Sequence, residues 1–175
     1  LHEGKAGLML KFFDHPALDV NRRSARILKA YQQLYGTAAI YKTIDKVSFN
    51  PPERNGFHFM GSPLHWDISL RLPIPFRLQG LLYLTDCGAN DGAFHCVPGF
   101  QHQIGDWLKT LPENAEPRQL APQLLKPMPV PANAGDFIIW HPALPYGATP
   151  NHGKSPRMVQ NLRYLTEKGE DEQDW

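Results

Sequence analysis

Residues 135–157 read Gly135-Asp136-Phe137-Ile138-Ile139-Trp140-His141-Pro142-Ala143-Leu144-Pro145-Tyr146-Gly147-Ala148-Thr149-Pro150-Asn151-His152-Gly153-Lys154-Ser155-Pro156-Arg157. Gly135-Asp136 is a turn signal, and the short apolar run behind it has the length of a buried strand rather than of a helix. Pro142 and Pro145 then break the chain before a last strand, predicted near residues 158–165. The same grammar runs backwards from here. Residues 39–41 and 47–49 read as short strands closed by Pro51-Pro52, and Arg54-Asn55-Gly56 as a turn. Residues 68–72 alternate apolar and polar, the period of a half-buried strand. Strands are predicted at 79–84 and 93–97, the second closed by Pro98-Gly99, with a short helix at 104–111. Many short strands with long connections point to an all-β core with flanking helices, a jelly roll or barrel.

Two regions depart from that pattern. Residues 17–36 carry Val20, Ala25, Ile27, Leu28, Tyr31 and Leu34 at spacings near three and four, which predicts a long flanking helix stopped by Gly36. Asp19 or Asn21 is its expected cap. The stripe Arg22, Arg23, Arg26 and Lys29 reads as a solvated face. Residues 112–134 are proline-rich with little periodicity, an extended insert, and residues 167–175 form an acidic tail. The organisation expected is one domain, 1–175, with a core over 37–166.

Composition removes several function classes. With 18 Lys+Arg against 17 Asp+Glu in 175 residues the formal charge is +1, so no strong field draws the chain to nucleic acid or anionic lipid. Mean hydropathy is −0.42 and no run of 18 apolar residues exists, so no membrane span is expected. Seventeen prolines, about twice the usual share of roughly 5%, argue against a helical bundle. Two cysteines, Cys87 and Cys96, are too few for a disulfide framework, and the first residues have no signal-peptide pattern; a cytoplasmic setting is expected. The chain starts at Leu1 rather than Met, which suggests a piece of a longer product.

Among the eight histidines, His65-Trp66-Asp67 stands out. On a strand, residues i and i+2 project to one face, so this imidazole and carboxylate can grip one metal ion. They make two-thirds of the two-His-one-carboxylate triad of non-haem Fe(II) oxygenases. Trp66 points to the opposite face, toward a core. His95 and Cys96 are adjacent, so they face opposite ways and read as structural. Alone, an H-x-D pair is also what a surface His near an Asp looks like.

Its context is more specific. Pro63-Leu64-His65-Trp66-Asp67, Asn90-Asp91-Gly92-Ala93-Phe94, Val97-Pro98-Gly99-Phe100-Gln101-His102, residues 135–142, then Gly147, Asn151 and Arg157 occur in one order. Together they resemble the phytanoyl-CoA dioxygenase family of Fe(II)/2-oxoglutarate-dependent oxygenases, over about residues 36–166. The resemblance implies a double-stranded β-helix of the jelly-roll, cupin-like type. It implies His65 and Asp67 as metal ligands, and Arg157 as the residue that holds the 2-oxoglutarate carboxylate. Lys46, Gln79 and Tyr83 fall where the family lines its 2-oxoglutarate pocket. The cofactors implied are Fe(II) and 2-oxoglutarate, and the partner a small organic substrate. A guanidinium fork suits a carboxylate in a bidentate pair.

One departure stands in the ligand set. The family pattern has a second His where this sequence has Tyr146, eleven residues before Arg157. A phenol ionises near pH 10, whereas neutral imidazole binds iron directly. His141 is intact but five positions early; five is odd, so a continuous strand would turn it away from position 146, although Pro142 and Pro145 can bend the strand. Three readings stay open: a working oxygenase with a substitute third ligand, a relative with a degraded metal site acting as a binding protein or metal-independent enzyme, and a centre for another metal with hydrolytic or isomerase chemistry.

Overall fold

Proline and glycine recur so often that, among the described residues of the computed structural model, no strand exceeds five residues. It describes residues 9–10, 12, 15–43, 46–58 and 60–166. The strands are β1 (Met9–Leu10), β2 (Tyr41–Lys42), β3 (Lys46–Asn50), β4 (Ser62–His65), β5 (Gln79–Tyr83), β6 (Phe94–Cys96), β7 (Met128–Pro129), β8 (Phe137–Trp140), β9 (Tyr146–Ala148), β10 (Arg157–Asn161) and β11 (Tyr164–Leu165). A five-stranded sheet, β1-β3-β10-β5-β8, lies opposite a four-stranded sheet, β4-β9-β6-β7, and every pair is antiparallel. This is the two-sheet, all-β core with flanking helices that the sequence predicts. A core of Trp66, Leu81, Tyr83, Phe94, Phe100, Trp140 and Val159 packs against these sheets.

The predicted helix over 17–36 forms as two, α1 (Pro16–Arg22) and α2 (Ala25–Tyr35). The cause is local. Ser24 is extended (φ −56°, ψ 119°) and starts a second helix, while Pro16 and the His15 side chain cap the first. Gly36, at φ 67°, ends α2 as expected. Asp19 caps nothing; it pairs with Arg23 and Lys42. Nor is the basic stripe uniformly solvated. Arg22 is buried, donates to the carbonyls of Arg163 and Thr43, and lies 5.1 Å over the Tyr164 ring.

Helix α2 covers the outer face of the large sheet. Ile27 and Tyr31 pack there with Leu78, Leu162, Tyr164 and Phe137. Gly80 of β5 permits the approach, because a Cβ there would stand 2.5 Å from Tyr31 Oη. That is why all of β5 is buried. Residues 68–72 form no strand. Ile68 and Leu70 instead pack on the core from a loop held by Arg118, whose guanidinium donates to the Ile68 carbonyl at 2.5 Å. The proline-rich insert carries α4 (Pro117–Leu124) and β7, which pairs with β6; α3 (Ile104–Thr110) precedes it. The predicted tail over 167–175 lies outside the described residues. No described helix is long and apolar enough to cross a membrane.

Candidate functional site

Directly opposed residues of an antiparallel pair put their side chains on one face. The β3–β10 register pairs Lys46 with Asn161, Ser48 with Val159 and Asn50 with Arg157. The β5–β8 register pairs Gln79 with Trp140. In the small sheet, His65 of β4 is paired with Tyr146 of β9. These inward faces line one cavity of about 420 Å³, which Lys46, Ser48, Asn50, His65, Asp67, Gln79, Trp140, Tyr146 and Arg157 all reach.

At one end, His65 Nδ1 lies 2.9 Å from the Pro63 carbonyl oxygen. A carbonyl only accepts, so Nδ1 is the donor, and in the neutral imidazole Nε2 is the nitrogen that carries the lone pair. That nitrogen faces Asp67 Oδ1 at 3.7 Å. Two electron-pair donors side by side, the imidazole fixed from behind by a backbone carbonyl, form the usual setting of a metal-ligating His. Imidazole nitrogen and carboxylate oxygen suit iron, so these two residues fit the metal.

The third corner is different. Tyr146 donates its hydroxyl proton to Asp67 Oδ2, and Gln79 Nε2 donates to the same oxygen at 3.0 Å and to Tyr146 Oη at 3.4 Å. The phenol is fixed by rings on three sides, His65 at 4.5 Å, Trp140 at 4.8 Å and Phe94 stacked at 5.6 Å. Burial, and then the Asp67 charge, push the Tyr146 phenol well above its ordinary value, so it is neutral. Among the described residues no third His, Cys, Asp or Glu joins the pair.

At the other end stands Arg157, 5% exposed, with its guanidinium 5.5 Å over the Tyr83 ring and its Nε without a hydrogen-bond partner. Burial holds its pKa below the ordinary arginine value. A cation so placed is stabilised by an anion. Lys46 is exposed at the rim. Gln79 uses its amide nitrogen on Asp67 and Tyr146. Tyr83 does not line the cavity; its hydroxyl accepts from the Phe94 amide at 2.9 Å, and its ring supports Arg157.

His141 lies outside the cavity. Strand β8 turns Trp140 inward, so the next residue faces out, where His141 packs 5.4 Å from Phe76 and accepts from the Ala143 amide at 3.0 Å. Burial, then His102, lowers its pKa. His152 pairs with Glu53 at 3.0 Å on the surface. Trp66 is buried opposite the His65–Asp67 side, with Nε1 donating to the Ala143 carbonyl at 2.9 Å. Sequence reasoning missed Ser48 and Asn50. Alternation from Lys46 was the available signal, since it puts 46, 48 and 50 on one face. The Pro63 carbonyl carried no signal at all.

The sequence matches the phytanoyl-CoA dioxygenase (PhyH) family over residues 2–159. The chain belongs to that family. Its fold is similar to that of several solved structures. The epimerase SnoN, in complex with Fe3+, alpha ketoglutarate and nogalamycin RO, superimposes with a TM-score of 0.68 at 17% identity, over 94% of this chain and 69% of SnoN. HygX from Streptomyces hygroscopicus, with nickel and 2-oxoglutarate bound, gives 0.66 at 16%, over 95% and 72%. The carbocyclase SnoK from nogalamycin biosynthesis gives 0.64 at 23%, over 87% and 59%. The chain spans 60% of AviO1 from Streptomyces viridochromogenes Tue57, 32% of EvdMO1 and 55% of another SnoN structure. No curated protein matches the sequence.

Proposed function

We propose that the chain is a non-haem Fe(II)- and 2-oxoglutarate-dependent oxygenase, a hydroxylase of a small organic substrate. His65 Nε2 and Asp67 Oδ1 hold the metal, and Arg157 holds the far carboxylate of 2-oxoglutarate. The observation that carries this reading is the His65 imidazole, with its proton committed to the Pro63 carbonyl and its lone pair turned to Asp67 in the cavity that Arg157 lines. When bound, iron and 2-oxoglutarate would supply the oxidising chemistry, in which 2-oxoglutarate is decarboxylated to succinate as dioxygen is consumed. The chain's own part is placement. Arg157 neutralises a carboxylate in a site of low polarity, Lys46 adds positive charge at the rim, and Phe94, Trp140 and Leu81 exclude water.

The hydrogen bond from Tyr146 to Asp67 favours a second reading, a relative that binds a 2-oxo acid without turning it over. Anaerobic Fe(II) titration followed by aerobic succinate assay separates the two. On the first reading the wild type binds iron and forms succinate, and Tyr146→His tightens the metal and raises turnover. On the second the wild type binds 2-oxoglutarate, forms no succinate, and gains iron binding only in Tyr146→His.

A further inference from the structure

We infer that Tyr146, together with Gln79, positions Asp67 from outside the metal's coordination shell, leaving a centre with two protein ligands and an open place for an exogenous donor. This rests on the reading of His65 and Asp67 as the metal pair. The two oxygens of Asp67 are divided between two neighbourhoods. Oδ1 faces His65 Nε2 at 3.7 Å, whereas Oδ2 takes both hydrogen bonds, from the Tyr146 hydroxyl and from Gln79 Nε2 at 3.0 Å. A ligating carboxylate whose other oxygen is held by the protein is oriented and restricted to one metal-facing atom.

The phenol is fully employed in that task. Its single proton goes to Asp67, and its oxygen accepts from Gln79 at 3.4 Å. Nor can it swing toward the metal side, because His65, Trp140 and Phe94 hold the ring. Gln79 is held in turn by its position on β5, opposite Trp140. The three residues form a bracket behind Asp67. With His65 and Asp67 as its protein ligands, a bound metal would have one protein donor fewer than a two-His-one-carboxylate triad supplies, and that place would be open to a small anion or to a donor atom of the substrate itself.

The test loads the purified chain with Fe(III) for spectroscopy and with Co(II), anaerobically, for affinity. The wild type should show no phenolate-to-iron charge-transfer band, and its spectrum should match that of Tyr146→Phe. Azide should add a new band to the wild type and fail to do so in Tyr146→His, where an imidazole fills the place. Co(II) affinity should fall about 10–100-fold in Tyr146→Phe and in Gln79→Leu, the size of effect expected for groups that orient a ligand. Gln79→Leu keeps the result decisive if Tyr146→Phe folds poorly. An intense visible band in the wild type that vanishes in Tyr146→Phe overturns the inference alone, because it makes Tyr146 a ligand. Unchanged Co(II) affinity in both variants also overturns it alone. Failure of the wild type to take up either metal overturns the inference and the iron reading beneath it together.

Discussion

The two ends of the cavity are built by different rules. Arg157 stands in an unbroken antiparallel register in which five successive residues of β10 face five of β3. Its inward direction follows from alternation alone. His65 and Tyr146 face each other across β4 and β9, whose register shifts between Ser62 and His65. That irregular pairing holds only because glycine lets the backbones touch. A Cβ on Gly147 would stand 2.2 Å from the Ser62 carbonyl oxygen and 2.5 Å from His95 Nε2, and one on Gly61 would stand 2.3 Å from the Ala148 carbonyl oxygen. Regular pairing supplies a charge at a fixed depth; close approach supplies the convergence that a metal needs.

The sharpest way to break this contrast is at the regular end. Arg157→Ala should weaken 2-oxoglutarate binding by about 2–5 kcal/mol, the usual effect of truncating one member of a buried charged pair. Calorimetry on the metal-free protein reads this directly, and unchanged affinity would remove the anchor from that end. At the irregular end, Gly147→Ala should cost about 1–3 kcal/mol of stability through overpacking. It should also abolish metal uptake, as urea unfolding and Co(II) titration would show. A midpoint equal to the wild type would mean that β4 and β9 need no close approach.

The smallest expected effect concerns His95, behind the His65–Tyr146 pair. Burial first, and then the neighbouring His65, lower its pKa below 6.5, against a backbone hydrogen bond to Ser62 that raises it. As pH falls below about 6.5 the unfolded chain takes up a proton that folded His95 refuses until lower pH. The unfolded state therefore binds more protons, and this contribution to stability, present above 6.5, is lost on acidification. His95→Gln should flatten the slope of unfolding free energy between pH 6.5 and the folded pKa. An unaltered slope would assign the acid sensitivity elsewhere, with His141 the next group whose pKa burial lowers.

What could be read from the sequence follows the same division. Strands β5, β6, β8 and β10 were legible because apolar runs between turn residues have few alternatives. The outward turn of His141 was legible as parity. The break at Ser24 was not, since apolar spacing continues through it and the cap there is a backbone conformation without a side-chain hydrogen bond. Residues 68–72 alternate like a strand because Ile68 and Leu70 pack inward, yet their backbone is held by Arg118, 50 residues away. The Tyr146 substitution was visible as a letter. Its bracket with Gln79 was not, because that depends on β5, β9 and the turn after β4 meeting at one oxygen.

Asn151, completely buried, donates to the Asn50 carbonyl at 2.8 Å and to the Ser155 carbonyl at 3.0 Å, and accepts from the Gly153 amide at 3.0 Å. One side chain thus ties the loop before β10 to the residue that faces Arg157. The chain spends the ordering entropy of that loop when it folds, not when a ligand arrives. A dicarboxylate entering the cavity meets a guanidinium already in place, so its association should resemble a key entering a rigid lock, with little of the heat-capacity change that accompanies a loop closing over its guest.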